Sequence, residues 1–350
     1  MLTALIMAGG KGTRFWPLST DEKPKQFLNL IGNNTMIQMT INRIKPIIPI
    51  ERIFVCTGER YVDLVKEQVP ELPIKNIIVE PEGRNTTPCI TLSALVINRY
   101  YKNATMLVLP SDHLINDEDE FRKTIMVANE FVLNNNKAII TLGIKPSRPE
   151  IGYGYIKYLN NENSLNRYSV IKVESFTEKP NRNLAEQYLL NGNYLWNAGM
   201  FLWSINNIIE QINKYSLNTY SALKDIIQVD DKDLQLFINE NYKKTESISI
   251  DYAVLEKAKN IYVIPSDFGW DDVGSWEALD RYREKDELGN VLVGESKVVD
   301  ATNNLVISST HKVVVEGLTD IYVIENDGKI LIGKKSNVSN VKELRGIITN

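Results

Sequence analysis

Short, almost wholly apolar runs rich in β-branched residues recur along the first 150 residues: TALIMA (3–8), RIFVCT (52–57), NIIV (76–79), TMLVLP (105–110) and AIITLG (138–143). Helical periodicity fills the gaps between several of them, over TMIQMTINRI (35–44), TPCITLSALVINRYY (87–101) and EDEFRKTIMVANEFVL (118–133). Strands that are apolar nearly throughout must be covered on both faces, and strands that alternate with helices pair in parallel. The pattern predicts an α/β fold: a Rossmann-like, open, mainly parallel sheet with helices on both faces.

From about Gly289 the texture changes to short strand-like pieces (NVLVGES, LVISST, KVVVEG, IYVIEN, KILIGKK) separated by turn residues, with little helical periodicity. We therefore expect a catalytic-sized domain over 1–285 and a small β domain over 286–350. The spacing of its strands is loosely repetitive, which suggests a β-helix-like or irregular β-layer packing. Covering the sheet or making a homodimer contact are two uses that the sequence leaves open for it.

Charge narrows the partners. Forty basic residues against 44 acidic ones leave a formal charge of −4, and no Lys/Arg-rich block is present, so no nucleic-acid groove is expected. No apolar run reaches membrane-spanning length, and Leu2 to Ala8 lacks the charged flank and cleavage site of a leader, so it reads as a first strand. Of the two cysteines, Cys56 and Cys89 both sit in apolar settings without CxxC spacing. Buried thiols in a reducing cytoplasm are the expectation.

In open α/β sheets ligands bind beyond the carboxyl ends of strands, which selects the loops to read. AGGKGTR (8–14) leaves the first strand. It is neither a Walker A loop nor a dinucleotide fingerprint, since Phe15 stands where the latter needs a third glycine. Gly9, Gly10 and Gly12 would still let backbone N–H groups of the loop, Thr13 included, approach a polyphosphate, and Lys11, Arg14 and Lys25 could add charge. A phosphate cradle and a plain turn both remain open on spacing alone.

The longer string GGKGTRFWPLSTDEKPKQFL (9–28), followed in order by EPEGRNTTP (80–88), LPSDH (109–113), FTEKP (176–180), WNAGMF (196–201) and WDDVGSW (270–276), resembles the sugar-1-phosphate nucleotidyltransferases, and specifically their mannose-1-phosphate guanylyltransferase branch. The resemblance covers roughly residues 1–285 and implies the GT-A-like nucleotidyltransferase fold. It also implies transfer of GMP from GTP to mannose 1-phosphate, with Mg²⁺ as cofactor. Such a displacement needs two aligned anions and neutralised charge rather than a nucleophilic side chain.

By that resemblance Arg14 and Lys25 hold the triphosphate and stabilise the leaving pyrophosphate. Lys11 reads equally well as a solvated side chain. Asp112 and a carboxylate of WDDVGSW hold the metal; the string offers Asp271 and Asp272, and alignment on the DVGSW core favours Asp272. One or two carboxylates with substrate phosphates is the usual magnesium arrangement. An aspartate at a strand end also serves as a turn former or helix cap, and His113 is expected to be structural.

EPEGRNTTP is the expected base loop. Guanine presents N1–H and N2–H₂ donors side by side, which one carboxylate accepts together, and Glu80 is the candidate acceptor, with Gly83, Asn85 and Thr86 lining the pocket. The same residues would make an ordinary helix start, capped by Asn85 or Thr86 with Pro88 early in the helix. The resemblance assigns the sugar to Gly152, Tyr153, Gly154, Glu178, Lys179, Asn197 and Gly199, with Lys179 neutralising the attacking phosphate. Without it, GYG is a turn and WNAGMF an apolar strand. The tryptophans are read as packing residues.

Two other functions compete: a related nucleotidyltransferase with another base or sugar, disfavoured by the PKQF, GRNT and DVGSW strings, and a non-catalytic nucleotide-sugar sensor. The sensor reading predicts loss of Arg14, Lys25, Asp112 or Asp272, and all four are present. Ending at Asn350, the chain leaves no room for the isomerase domain of longer relatives, so a monofunctional cytoplasmic enzyme is expected.

Overall fold

Leu2–Met7 (β1), Ile53–Gly58 (β2), Ile77–Glu80 (β3) and Thr105–Pro110 (β4) pair in parallel in the order β3-β2-β1-β4. The computed structural model describes residues 1–10, 12–159 and 168–349, so Lys11 lies outside the described residues. Between these strands run Met36–Ile44 (α1), Val62–Gln68 (α2) and Thr86–Tyr100 (α3), and Glu118–Asn134 (α4) follows them. Leu5, Phe54, Cys56, Met106 and Val108 pack with Ile90, Leu92 and Leu95 of α3 in one cluster, while Ala4, Ile6, Leu107 and Leu109 are buried as well. Their all-apolar sequences follow from having both faces covered.

The second half of the sheet departs from the expectation of an open, mainly parallel array. Ile139–Ile144 (β5), Tyr155–Tyr158 (β6), Ile171–Thr177 (β7), Tyr194–Ser204 (β8) and Ile261–Ser266 (β9) extend the order to β3-β2-β1-β4-β8-β5-β9-β7-β6. Among the described residues only β5 and β9 pair in parallel here. β8 runs antiparallel to both β4 and β5, and β7 antiparallel to β9. β6 pairs antiparallel with both β7 and β8, so β8-β5-β9-β7-β6 closes on itself.

A bulge makes the closure possible. Along β5 the partner on β8 jumps from Phe201, opposite Thr141, to Asn197, opposite Gly143. Gly199, inside that jump, has φ +67°, a left-handed conformation that glycine adopts without strain. A bulge bends its strand: the carboxyl half of β8 pairs with β4 and the amino half with β6. Apolar strand composition does not distinguish hairpins from crossovers, so this change of direction was not legible in it.

Contacts divide the chain into two units, one of Met1–Gly9, Thr40–Ser111 and Ile115–Trp270, the other of Gly10–Met39, Asp112–Leu114 and Asp271–Asn350. The division differs from a cut at 285. Its cause is apolar: in the second unit Phe15, Trp16, Leu28 and Met36 share a core with Trp276, Leu279, Leu305, Ile307 and Ile324. Phe15 meets Trp276 edge to face, ring centroids 5.1 Å apart.

Within this second unit Val291–Val293 (β10), Ser296–Val299 (β11), Leu305–Ser308 (β12), Val313–Glu316 (β13), Ile321–Asn326 (β14) and Lys329–Lys334 (β15) alternate between two sheets. β10, β12 and β14 are parallel, as are β11 and β13, and β15 returns antiparallel to β14. Ala301, Val306, Val315 and Val323 fill a small core of their own. At the corners the Ile321 N–H donates to Asn304 Oδ1 (3.0 Å) and the Asn304 N–H to Asn290 Oδ1 (2.9 Å). A helix, Val341–Thr349, follows the strands where only β structure was expected.

Candidate active site

In the second unit the glycine loop is folded onto Lys25. Gly12 has φ +53°, and a Cβ there would stand 2.4 Å from the backbone nitrogen of Lys25. Backbone meets backbone at that point, so only glycine fits. Gln26 Nε2 donates to the carbonyl of Gly10 (2.9 Å), tying PKQF to the loop. Thr13–Phe15 forms a 3₁₀ turn that presents Arg14, whose side chain is 61% exposed.

Lys25, by contrast, is buried, its side chain 7% exposed. Its ammonium lies 3.0 Å from Asp112 Oδ2 and donates to the backbone carbonyl of Asp272. Arg14 Nη1 is 4.0 Å from Asp272 Oδ2. Burial alone would push the Asp112 carboxyl up, but Lys25, with His113 and Arg14, outweighs it and holds Asp112 below the usual carboxylate range. Gly274 leaves room for this pair, since a Cβ there would come within 2.7 Å of Asp272 Oδ2 and 3.1 Å of Arg14 Nη1.

The two neighbouring aspartates differ in their partners. Asp271 is buried; its Oδ1 accepts from the Val273 N–H (2.7 Å), and its Oδ2 accepts from Arg281 (2.8 Å) and the Tyr282 hydroxyl (3.2 Å). Asp272 accepts from the Gly274 N–H at Oδ1 (3.1 Å) and turns Oδ2 toward Arg14. Asp112 and Asp272 are two hard carboxylates beside two cations. That donor set suits a magnesium ion whose remaining ligands are phosphate oxygens and water.

In the first unit Glu80 ends β3 as a buried carboxyl. It accepts from the hydroxyl of Tyr242, and its Oε2 would lie 2.9 Å from a Cβ on Gly9. Burial pushes Glu80 up to about 7, against the Tyr242 bond, which lowers it. Asn85 Oδ1 accepts from the Thr86 N–H (2.9 Å), so it caps α3 as the ordinary reading required. Thr86 Oγ1 accepts from the Ile250 N–H (2.8 Å), while Gly83 is exposed with open space around it. Cys56 and Cys89 are buried free thiols within 4.8 Å of a Glu80 oxygen.

Of the expected sugar residues of the same unit, Gly154, Lys179 and Asn197 are drawn together around Glu178. A Cβ on Gly154 would stand 2.5 Å from Glu178 Oε2 and 3.4 Å from the Asn197 Cβ, so a larger residue there would displace the Glu178 carboxylate. The Asn197 N–H donates to the Gly154 carbonyl (2.8 Å). Glu178 Oε1 accepts from Lys179 (2.6 Å), and Lys179 holds a left-handed φ of +47°, a strained setting for a lysine. Gly152 donates its N–H to Glu150 (3.0 Å), and Tyr153 packs edge-on against Trp196 and Trp270. All five tryptophans are buried.

Two residues in these clusters carried no sequence signal that was used: Tyr242 against Glu80, and Asp251, which accepts from Asn197 Nδ2 (3.1 Å); Gly274, under Asp272, stands inside the WDDVGSW string without having been singled out in it. A carboxylate inside the apolar run ISIDYAV was the one available hint for Asp251. Among the described residues no helix is long and apolar enough to cross a membrane.

Comparison with known proteins follows the same lines. The nucleotidyl transferase family signature matches residues 3–288. A mannose-1-phosphate guanylyltransferase of Salmonella montevideo is 38% identical over 352 residues, covering 98% of this chain and 73% of that protein. Another from Escherichia coli is 34% identical over 349 residues, covering 98% and 75%. Among solved structures, one described as a mannose-1-phosphate geranyltransferase from Thermus thermophilus superposes with a TM-score of 0.87 at 29% identity, covering 100% of this chain and 99% of that one.

Proposed function

We propose, from the premise that this chain belongs to the nucleotidyl transferase family and to its mannose-1-phosphate guanylyltransferase branch, that it transfers GMP from GTP to mannose 1-phosphate, giving GDP-mannose and pyrophosphate. The observation that carries the reading is the juxtaposition of Arg14, Lys25, Asp112 and Asp272 behind a glycine loop. Two cations and two carboxylates held in one place suit a reaction between anions.

A phosphate oxygen of the sugar 1-phosphate attacks the α-phosphorus; the new O–P bond forms as the bond to the β-phosphate oxygen breaks, and the electron pair leaves with pyrophosphate. Lys25, fixed by Asp112 and the Asp272 carbonyl, and Arg14, more exposed, neutralise the triphosphate and the leaving group. Lys179 neutralises the attacking phosphate. Asp112 and Asp272 would hold Mg²⁺, which supplies Lewis-acid charge neutralisation at the phosphates when bound. Glu80 accepts from the guanine edge, in its ionised form, with Gly83, Asn85 and Thr86 as the other residues of the base loop. Glu178 and Asn197 meet the hexose hydroxyls.

Pyrophosphate release over a grid of nucleoside triphosphates and sugar 1-phosphates, with and without Mg²⁺, tests the reading. GTP with mannose 1-phosphate should turn over fastest, and only with the metal. Preference for UTP or dTTP with glucose 1-phosphate would overturn the branch assignment, and no turnover with any pair would leave a sensor.

A further inference from the structure

Asn197 is held on three sides. Its Oδ1 accepts from the Thr141 hydroxyl and from the Gly199 N–H, each at 3.1 Å, and its Nδ2 donates to Asp251 Oδ1, also at 3.1 Å. A carboxylate only accepts, and a backbone N–H only donates, so Asp251 on one side and Gly199 on the other admit a single orientation of the amide. These bonds account for the oxygen and one amide hydrogen and leave the second amide hydrogen to a ligand.

Asp251 opens a π-helical turn, Asp251–Leu255, directly after the buried Ile250. Such turns are rare and recur at functional positions. The residue is electrostatically joined to the same cluster: burial and the neighbouring Glu178 push its carboxyl up to about 6, with Lys179 and the Asn197 bond opposing. Lys179 in turn is raised by Glu178 and Asp251 against its own desolvation.

We propose that Asp251 is a positioning residue for hexose 1-phosphate recognition, acting by fixing the Asn197 carboxamide so that its remaining N–H faces a sugar hydroxyl. The inference rests on the nucleotidyltransferase reading, through the assignment of Asn197 to the sugar. It sets affinity for the sugar substrate and not for the nucleotide, because the group it orients touches the sugar alone.

The test is steady-state kinetics of Asp251→Ala, Asp251→Asn and Asn197→Ala, with the Asn197→Ala/Asp251→Ala double variant, using whichever substrate pair the parent turns over best. Asp251→Ala should raise KM for the sugar 1-phosphate about tenfold, the loss of one charge-assisted bond, with kcat and KM for the nucleotide little changed. Asp251→Asn keeps an acceptor for Nδ2 and should recover most of the loss. The double variant should be no worse than Asn197→Ala. Equal rises in both KM values, no recovery by Asp251→Asn, or additive single effects would each overturn the proposal. If the parent turns over no pair, the function reading has failed separately, and calorimetric binding of mannose 1-phosphate replaces kinetics: a weaker Kd in Asp251→Ala supports the role and an unchanged one overturns it.

Discussion

Lys25 Nζ stands 3.0 Å from Asp112 Oδ2, with the lysine side chain buried and the aspartate one-third exposed. A buried ammonium persists only when paired, and here the pairing aims it at the carbonyl of Asp272 as well. Its rigidity is what a charge-stabilising group needs, since no reorganisation is then required during the reaction. Lys25→Met should lower kcat by about 10²–10³ while the fold persists. Pyrophosphate release and circular dichroism measured side by side check this. Activity within threefold of the parent would remove Lys25 from the reaction.

Asp271 and Asp272 should respond oppositely to the same change. Asp271 is buried with both oxygens engaged by Val273, Arg281 and Tyr282. Asp271→Asn should cost about 1.5–3 kcal/mol of stability, the range for bonds to a charged group, with activity at low temperature retained within a few-fold. Asp272→Asn, at a carboxylate one-quarter exposed beside Arg14, should leave the melting temperature nearly unchanged and abolish most metal-dependent turnover. A destabilised Asp272→Asn with normal turnover per folded molecule would reverse the two roles.

The contrast between these two aspartates shows where the sequence stops being informative. The apolar runs of β1 to β5 and the periods of α1, α3 and α4 could be read directly, because burial on both faces, or on one helical stripe, is written into every residue of the element. The closure of β8-β5-β9-β7-β6 could not, because it depends on one left-handed glycine, Gly199, and on pairings between strands far apart in the chain. Asp271 and Asp272 are chemically identical side chains in the string WDDVGSW; which of them is tied down as a buried structural acceptor depends on Arg281 and Tyr282, at the end of the following helix. Tyr242, 162 residues from Glu80, left no local trace at all. The unit division followed Phe15 and Trp16, which share a core with Trp276, Leu279 and Leu305, all beyond residue 270.

Glu80 gives a pH dependence with a definite sign. Its carboxyl sits at about 7 in the folded chain, above the ordinary 4.5. Between those values the folded state holds a proton that the unfolded state does not, so stability falls as pH rises through that window and the cost is complete above about 7. Glu80→Gln should flatten the melting temperature against pH over this range and stabilise the chain at pH 8. If the carboxylate reads guanine, the parent's KM for GTP should rise as pH drops below 7, and Glu80→Gln should lose its preference for GTP over ATP at every pH. Unaltered base preference in Glu80→Gln would leave the residue a purely structural role.

Glu325 should show the opposite sign, in the second unit. Its buried carboxylate gathers the 308–311 loop: Oε2 accepts from the Ser308 hydroxyl (3.0 Å) and from the N–H groups of Ser309 (3.0 Å), Thr310 (2.9 Å) and His311 (3.1 Å). Oε1 accepts from the Thr310 hydroxyl and lies 2.8 Å from His311 Nδ1. Burial would raise this group, but that many donors outweigh it and hold it far below the usual range. A depressed carboxyl stabilises the fold fully above the unfolded value of 4.5 and loses that contribution as pH falls toward its folded value. Glu325→Gln replaces an acceptor by an NH₂ group facing donors, so it should lower the melting temperature at pH 7 by at least about 5 °C. The difference between parent and variant should shrink as pH is lowered from 4.5. Calorimetric scans from pH 7 down to pH 3 measure both effects, and a gap that stays constant through that range would show that the loop is held by something other than the charge on Glu325.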